Sequence, residues 1–245
     1  MRPPDRALMR GVPEGNVPQN FSLLDPVVLR GMDLLVLAKR SKYIFHHPHD
    51  DRLLIKVMRV DAKRKSWGMK RFYKSMRRSG AHTDLLRQVT EYFVVSVNSP
   101  VLPRCLSRIF GLIETDMGPG LLVEKITSAD GTPATQMKEL LKQGPLSDAL
   151  KDKLHQFMDD LSRHEVVLND LGLRNMVLAT EPSGKSRFVL IDGFGERALI
   201  PLCSMSRRFN RFNTRRKFRK LLWLCGMSND PARVVARKSP ERGEA

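Results

Sequence analysis

The fold is decided by Leu168-Asn169-Asp170-Leu171-Gly172-Leu173-Arg174-Asn175, followed one hairpin later by Ile191-Asp192-Gly193-Phe194-Gly195. The first segment lies between an amphipathic run and a short apolar run that is typical of a strand. The second segment directly follows another apolar run of this kind, and a turn that contains Pro and Gly separates the two apolar runs. Asp170, Asn175 and Asp192 are therefore predicted to lie on loops at the open end of one hairpin.

A helix is predicted directly before the first segment. Ser147 is a suitable N-cap, because its hydroxyl can accept a hydrogen bond from an amide of the first turn. Apolar residues then recur at offsets of 0, 4, 7, 8 and 11, which defines one buried helix face: Leu150, Leu154, Phe157, Met158 and Leu161. Residues 198–225 are predicted to form a last helix.

The first half of the chain is richer in strand patterns. Residues 34–37, 43–45 and 53–58 predict consecutive antiparallel hairpins, and residues 109–115 and 121–126 predict two further strands. Residues 84–97 fit either a helix or a strand, because a helical apolar period coincides with many strand formers.

The order of these elements predicts an α+β, two-lobed fold. We expect a small antiparallel sheet in a first lobe, residues 21–126, and a shortened, mainly helical second lobe, residues 127–225. Residues 1–20 are expected to be a disordered leader, and residues 226–245 a disordered tail, because neither has an apolar period.

Charge is the strongest compositional feature, with 43 Lys plus Arg against 26 Asp plus Glu, a net charge of +17 and a pI near 10.3. An anionic partner is expected. The 41% hydrophobic share excludes a wholly disordered chain. No apolar run approaches the ~18 residues of a membrane span, and no apolar signal core is present. Three dispersed cysteines argue against a disulfide framework and a zinc site, and they favour a reducing, cytoplasmic location.

The order and spacing of Asp170, Asn175 and Asp192 are known from another fold. Asn175 follows Asp170 by five residues and Asp192 follows it by twenty-two, and the same order occurs in the protein-kinase-like fold. Magnesium prefers oxygen ligands, so the Asn175 amide and the Asp192 carboxylate are candidate Mg²⁺ ligands. Asp170 is the candidate catalytic residue, because it could accept or orient the proton of an incoming hydroxyl.

A cation for the phosphates of ATP is expected on the third strand. Lys56 lies there between apolar neighbours, where a charge is costly unless it is paired. Glu91 is the first candidate partner, because the basic stretch 61–79 contains no Glu. The Lys56–Glu91 pair requires residues 84–97 to be a helix.

The chain resembles the YrbL family of bacterial PhoP-regulatory-network proteins over roughly residues 34–225. The carrying segments are His47-Pro48, Ile55-Lys56-Val57, Glu91-Tyr92-Phe93, Leu102-Pro103-Arg104, residues 110–121, Asn169-Asp170-Leu171, Arg174-Asn175 and residues 190–195. This resemblance implies a small kinase-like fold with a short second lobe, and ATP use by analogy.

Some expected kinase features are missing from the sequence. Ala38-Lys39-Arg40-Ser41 stands where a glycine-rich loop would approach the phosphates, and Lys39, Arg40 and Lys42 are candidate side-chain substitutes. No long activation segment follows Glu196, which argues against a folded protein as substrate. A small-molecule or glycan hydroxyl is the expected acceptor.

Three functions remain open on the sequence alone. The first is an ATP- and Mg²⁺-dependent phosphotransferase, and the second is a non-catalytic nucleotide-binding regulator that docks an acidic partner. The third is a binder of anionic surfaces, such as the inner membrane, through residues 207–220, which hold eight basic residues and no acidic one. Nucleic acid ranks below these partners. The candidate anion-binding residues are Arg207, Arg208, Arg211, Arg215, Arg216 and Lys217.

Overall fold

The computed structural model describes residues 26–32, 34–36, 42–59, 82–181, 183–196 and 201–227. The predicted leader, the basic stretch 61–79, Lys39 and Arg40, and residues 228–245 of the predicted tail lie outside the described residues.

A five-stranded antiparallel sheet forms the first lobe, in the order β1-β2-β3-β5-β4. Burial alternates only over the last three residues of β2, where Phe45 and His47 are buried and His46 is partly accessible. Ile44 pairs with Lys56, and Lys56 pairs with Leu121, so Lys56 lies on a central strand. The strands are β1 (Leu34–Val36), β2 (Lys42–His47), β3 (Asp50–Met58), β4 (Ile109–Ile113) and β5 (Gly120–Glu124).

The ambiguous segment is a helix, α1 (Thr83–Val97). Its buried residues recur at helical spacing and include Leu85, Gln88, Glu91 and Val95, while the strand formers Phe93, Val94 and Val97 are exposed. Tertiary packing of one face therefore decides between the two structures that the sequence allowed.

The second lobe contains a three-stranded antiparallel sheet in the order β6-β7-β8 and the predicted helix. The Ser147 hydroxyl accepts a hydrogen bond from the Leu150 amide at 3.4 Å, which confirms the predicted N-cap. Leu154, Phe157, Met158 and Leu161 are buried as predicted. The elements are β6 (Thr135–Gln136), α2 (Met137–Lys142), α3 (Asp148–Arg163), β7 (Met176–Thr180) and β8 (Ser186–Leu190).

The predicted single helix over residues 198–225 is wrong in one respect. The chain forms two helices, α4 (Leu202–Met205) and α5 (Arg207–Leu224), separated by Ser206. Ser206 is extended, and its hydroxyl accepts a hydrogen bond from the Phe209 amide at 3.3 Å. A serine that caps a new helix cannot also continue the preceding one.

The two lobes are joined by main-chain hydrogen bonds as well as by the chain itself. The Leu190 amide donates to the Cys105 carbonyl at 2.8 Å, and the Ser107 amide donates to the Leu190 carbonyl at 3.1 Å. A strand-rich first lobe and a mainly helical second lobe confirm the predicted α+β, two-lobed fold. This junction fixes the end of β8 against the first lobe.

Candidate functional site

The segments that contain Asp170 and Asp192 lie side by side. The Asn169 and Asp170 amides both donate to the Gly193 carbonyl at 2.8 Å. Leu168 and Phe194 form an isolated antiparallel bridge next to them. These bonds place Asp170 and Asp192 at the mouth of the β7–β8 hairpin, as the sequence predicted.

Asn175 connects the two loops. Its side-chain amide donates to the Asp170 carbonyl at 2.8 Å and to the Asp170 carboxylate at 3.2 Å. The main-chain carbonyl of Asn175 accepts a hydrogen bond from the Ile191 main-chain amide at 2.8 Å. Because the amide nitrogen is committed to Asp170, the amide oxygen of Asn175 is the atom suited to a metal ion.

Gly193 is required by the closeness of these loops. Its φ is +91°, a conformation that favours glycine. A Cβ atom at this position would lie 2.2 Å from the Asp170 carbonyl oxygen and 2.8 Å from the Asn175 side-chain nitrogen. No side chain can be accommodated there without moving the Asp170 main chain.

Asp192 lies at the centre of a group of donors from both lobes. Lys42 donates to its two carboxylate oxygens at 3.0 and 3.2 Å, Gln88 donates at 3.0 Å, and the Gly193 amide donates at 2.7 Å. Burial alone would raise the pKa of Asp192, but Lys42 and Lys56 together with these hydrogen bonds hold it below its usual value. Asp192 is therefore an anion at neutral pH.

Lys56 is buried, with 5% of its surface exposed, and donates to the Ile191 carbonyl at 2.7 Å. Burial lowers the pKa of Lys56 to about 8; Asp192 opposes this shift and Lys42 adds to it. The side chain is thus mostly protonated at pH 7, and it lies beside the residue that precedes Asp192.

The predicted pair between Lys56 and Glu91 is wrong. Residues 84–97 are helical, as the pair requires, but the Glu91 carboxylate accepts a hydrogen bond from the Val167 amide at 2.7 Å. Gln88, one turn earlier, faces the cleft instead and donates to Asp192. The rotation of α1 about its axis therefore turns Glu91 towards the second lobe.

These residues line one cavity of about 490 Å³ between the lobes. Its polar end contains Lys42, Lys56, Asp170, Asn175 and Asp192. Its apolar walls come from both sheets and the segment between them: Ile44, Leu54, Val123, Ile126, Ala134 and Val177. A flat apolar group with a polyanionic tail would match this division.

Two buried polar atoms of the cavity lack a hydrogen-bond partner among the described residues, namely Ser107 Oγ and Gln88 Oε1. Such atoms are costly unless a bound group or water satisfies them.

Sequence reasoning missed Gln88 and only suggested Lys42. Lys42 was a candidate because it follows the position of the absent glycine-rich loop, and the structure brings it to Asp192. Gln88 could have been found from its spacing, because it lies three residues before Glu91 on the same buried face.

The remaining predicted anion-binding residues do not line this cavity, although the charge of Lys217 interacts with that of Asp170. On α5, Arg207 and Arg211 form ion pairs with Glu165, at 2.9 and 3.0 Å. Arg208, Arg215 and Arg216 are exposed, and Lys217 is partly buried beside Asn213.

The described residues contain neither a metal-binding cluster nor a membrane-spanning helix. No cluster of three or more His, Cys, Asp or Glu side chains with metal-binding geometry occurs in this part of the chain. No helix within the described residues is long and apolar enough to cross a membrane.

Glu91 gives the folded protein a specific pH dependence. Burial raises the pKa of Glu91 from 4.5 to about 7, the Glu196 charge adds to the shift, and the Val167 hydrogen bond opposes it. Between pH 4.5 and 7 the Glu91 carboxyl is ionised in the unfolded chain but still protonated in the folded protein. The free energy of unfolding therefore falls as pH rises through this range, by up to about 3 kcal/mol above pH 7. We expect Glu91→Gln, which keeps the acceptor for Val167, to remove this loss, as measured by urea midpoints at pH 5 and pH 8.

The exposed Glu114→Gln variant is the matched control and should keep the wild-type change in midpoint between the two pH values. An identical pH dependence in the Glu91 and Glu114 variants would show that Glu91 is not the group responsible.

Comparison with known proteins places this site in a family. Residues 28–225 match the family model described as PhoP regulatory network protein YrbL. No curated protein matches the chain. Among solved structures, the co-crystal structure of WbdD with the kinase inhibitor LY294002 is similar at 15% identity, with a TM-score of 0.40 over 62% of this chain.

The chain spans only 30% of the length of that WbdD chain. The family match, in contrast, extends from residue 28, ahead of β1, to residue 225, just after α5, and includes every residue of the cleft. The chain therefore belongs to the family of the PhoP regulatory network protein YrbL.

Proposed function

We propose that the cleft binds ATP with Mg²⁺ and transfers its terminal phosphoryl group to the hydroxyl of a small molecule or glycan. The observation that carries this proposal is the convergence of Lys42, Lys56, Asp170, Asn175 and Asp192 on one end of a single cavity. Two cations, two carboxylates and an amide oxygen form the donor set that a magnesium-bound phosphate chain requires.

Each residue of the site has a role that follows from its contacts. Lys56, held beside Ile191, would bind phosphate oxygens, and Lys42 would supply the second cation in place of a glycine-rich loop. Asn175 and Asp192 would hold the metal ion. When bound, magnesium would neutralise the phosphate oxygens. Asp170 would orient the acceptor hydroxyl and accept its proton.

The electrostatics of the cleft supports a phosphate ligand. In most sites of this kind the strand lysine is neutralised by a glutamate of the first helix, but the residue of α1 that contacts Asp192 is the neutral Gln88. Lys56 therefore has no carboxylate partner on α1 and donates to the Ile191 carbonyl, so a phosphate group could neutralise its charge.

A second candidate is a nucleotide-binding regulator without catalysis. It is favoured by one observation: Lys42, Gln88 and Gly193 already donate to the oxygens of Asp192. A metal ion at Asp192 would compete with Lys42 for these oxygens. A protein that never completes this exchange would bind a nucleotide without turning it over.

Thermal shift with Mg-ATP tests what both candidates share. A ligand that binds only the native state raises the unfolding midpoint, so we expect a clear shift for the wild type. Lys56→Met removes the buried cation and should reduce the affinity for ATP by about a hundredfold, the effect of losing a charge-assisted contact.

Lys185→Met is the control, because Lys185 is exposed on the β7–β8 turn, far along the hairpin from Asp192. It should retain the full shift. Equal shifts for Lys56→Met and wild type would place the nucleotide elsewhere, and no shift for wild type would exclude both candidates.

A further inference from the structure

The helix pair α4–α5 presents an outer surface that the nucleotide cleft does not use. Asn210, Thr214, Phe218 and Leu221 are buried at spacings of four, four and three residues, so one stripe of α5 is fixed to the second lobe. The Asn210 side chain donates to the Glu165 carbonyl at 2.8 Å, which anchors the start of the helix. The opposite face is therefore held outward along about 27 Å of helix.

The outward face is strongly basic. Arg208, Arg215, Arg216, Arg219 and Lys220 are exposed, and no acidic partner for them is present within the described residues. Glu165 pairs only with Arg207 and Arg211, which lie nearer the lobe. Like charges at this density repel one another unless an anionic surface covers them.

Two phenylalanines of α5 are also exposed. Phe209 is 43% exposed and Phe212 is 59% exposed. Phe212 lies four residues after Arg208 and three before Arg215, so it belongs to the basic row of the helix. This combination is stable in contact with a phase that is anionic at its surface and apolar beneath.

We propose that the outward face of α5 docks on an anionic lipid bilayer, with the arginines at the headgroups and Phe209 and Phe212 inserted below them. A bilayer is favoured over nucleic acid because the face is a convex helix, whereas proteins that bind single-stranded nucleic acid hold its backbone in a positively charged groove. Docking does not depend on nucleotide binding, so the proposal is unaffected if the cleft binds no nucleotide.

Vesicle co-sedimentation of the full chain tests the proposal. We expect binding to vesicles of phosphatidylcholine with phosphatidylglycerol, and none to pure phosphatidylcholine vesicles. Arg215→Glu reverses one charge on the face and should weaken binding about tenfold or more, since each basic residue near the surface contributes a comparable factor. Phe212→Ser should weaken binding as well, with the remaining salt dependence unchanged.

Matched controls separate this face from the general charge of the chain. Lys185→Glu makes the same charge change on an exposed turn, and Phe110→Ser removes an exposed phenylalanine, 54% accessible, from β4. Both controls should bind like the wild type, and the thermal midpoints should show that all variants fold.

Two results would overturn the proposal. One is equal vesicle binding by Arg215→Glu, Lys185→Glu and wild type, which would show that charge elsewhere is responsible. The other is loss of binding to a single-stranded RNA in Arg215→Glu and Phe212→Ser with vesicle binding unchanged, which would assign this face to nucleic acid.

Discussion

Asp192→Asn should reduce ATP turnover about a thousandfold or more, measured as phosphate release with Mg²⁺ present. The substitution preserves the size of the side chain but removes the charge that would hold the metal ion. It also leaves Lys42, which is 8% exposed, without the carboxylate that it contacts at 3.0 Å. Losses of this size are typical when a group that stabilises developing charge is removed.

Asp50→Asn is the matched control, because Asp50 pairs with the exposed Arg52 on the surface of the first lobe. A surface pair contributes about 1 kcal/mol or less, so turnover in this variant should stay close to wild type. Turnover that persists in Asp192→Asn would contradict the metal role of Asp192. A wild type that binds Mg-ATP and releases no phosphate would instead support the regulator.

Gly193→Ala should destabilise the protein by about 4 kcal/mol or more, the range of the most disruptive single substitutions. The added methyl carbon would lie 2.2 Å from the Asp170 carbonyl oxygen, and that oxygen belongs to the main chain. Relief therefore requires separating the loops of Asp170 and Asp192. Urea unfolding of the variant measures the loss, and a nucleotide thermal shift should vanish with it.

Gly131→Ala is the control for backbone strain. Its φ of +80° is close to that of Gly193, but nothing lies within 4 Å of the added carbon. It should cost only about 1 to 2 kcal/mol, the ordinary penalty of a left-handed residue with a side chain. Equal losses in the free energy of unfolding for Gly193→Ala and Gly131→Ala would show that the contact with Asp170 does not contribute to the loss.

Much of the site could be predicted because its residues are close in sequence. Asp170 and Asn175 lie on one loop, and Asp192 follows the adjacent hairpin, so the order of strands alone brings them together. Ser147 and the apolar period of α3 are likewise local signals that tertiary structure has no reason to override.

The parts that could not be predicted depend on placement of whole elements. Lys42 and Asp192 are 150 residues apart, and their contact requires the position of the first sheet over the second lobe. Gln88 and Glu91 share the buried face of α1, and only the rotation of the helix against both lobes decides which one faces the cleft. Ser206 is a favourable N-cap residue, but the apolar and basic residues on both sides of it are also compatible with a continuous helix, so the sequence does not show that α4 ends there.

The bonds between Leu190 and the segment at Cys105 and Ser107 have a consequence for how the molecule can be divided. Val95, Cys105 and Leu106 precede the second lobe in sequence, yet they are buried in its hydrophobic core. A fragment ending at residue 126 would expose these side chains to water and lose the main-chain hydrogen bonds of Cys105 and Ser107 to Leu190. We therefore expect the two lobes to unfold together and a fragment that holds only one of them to be unstable.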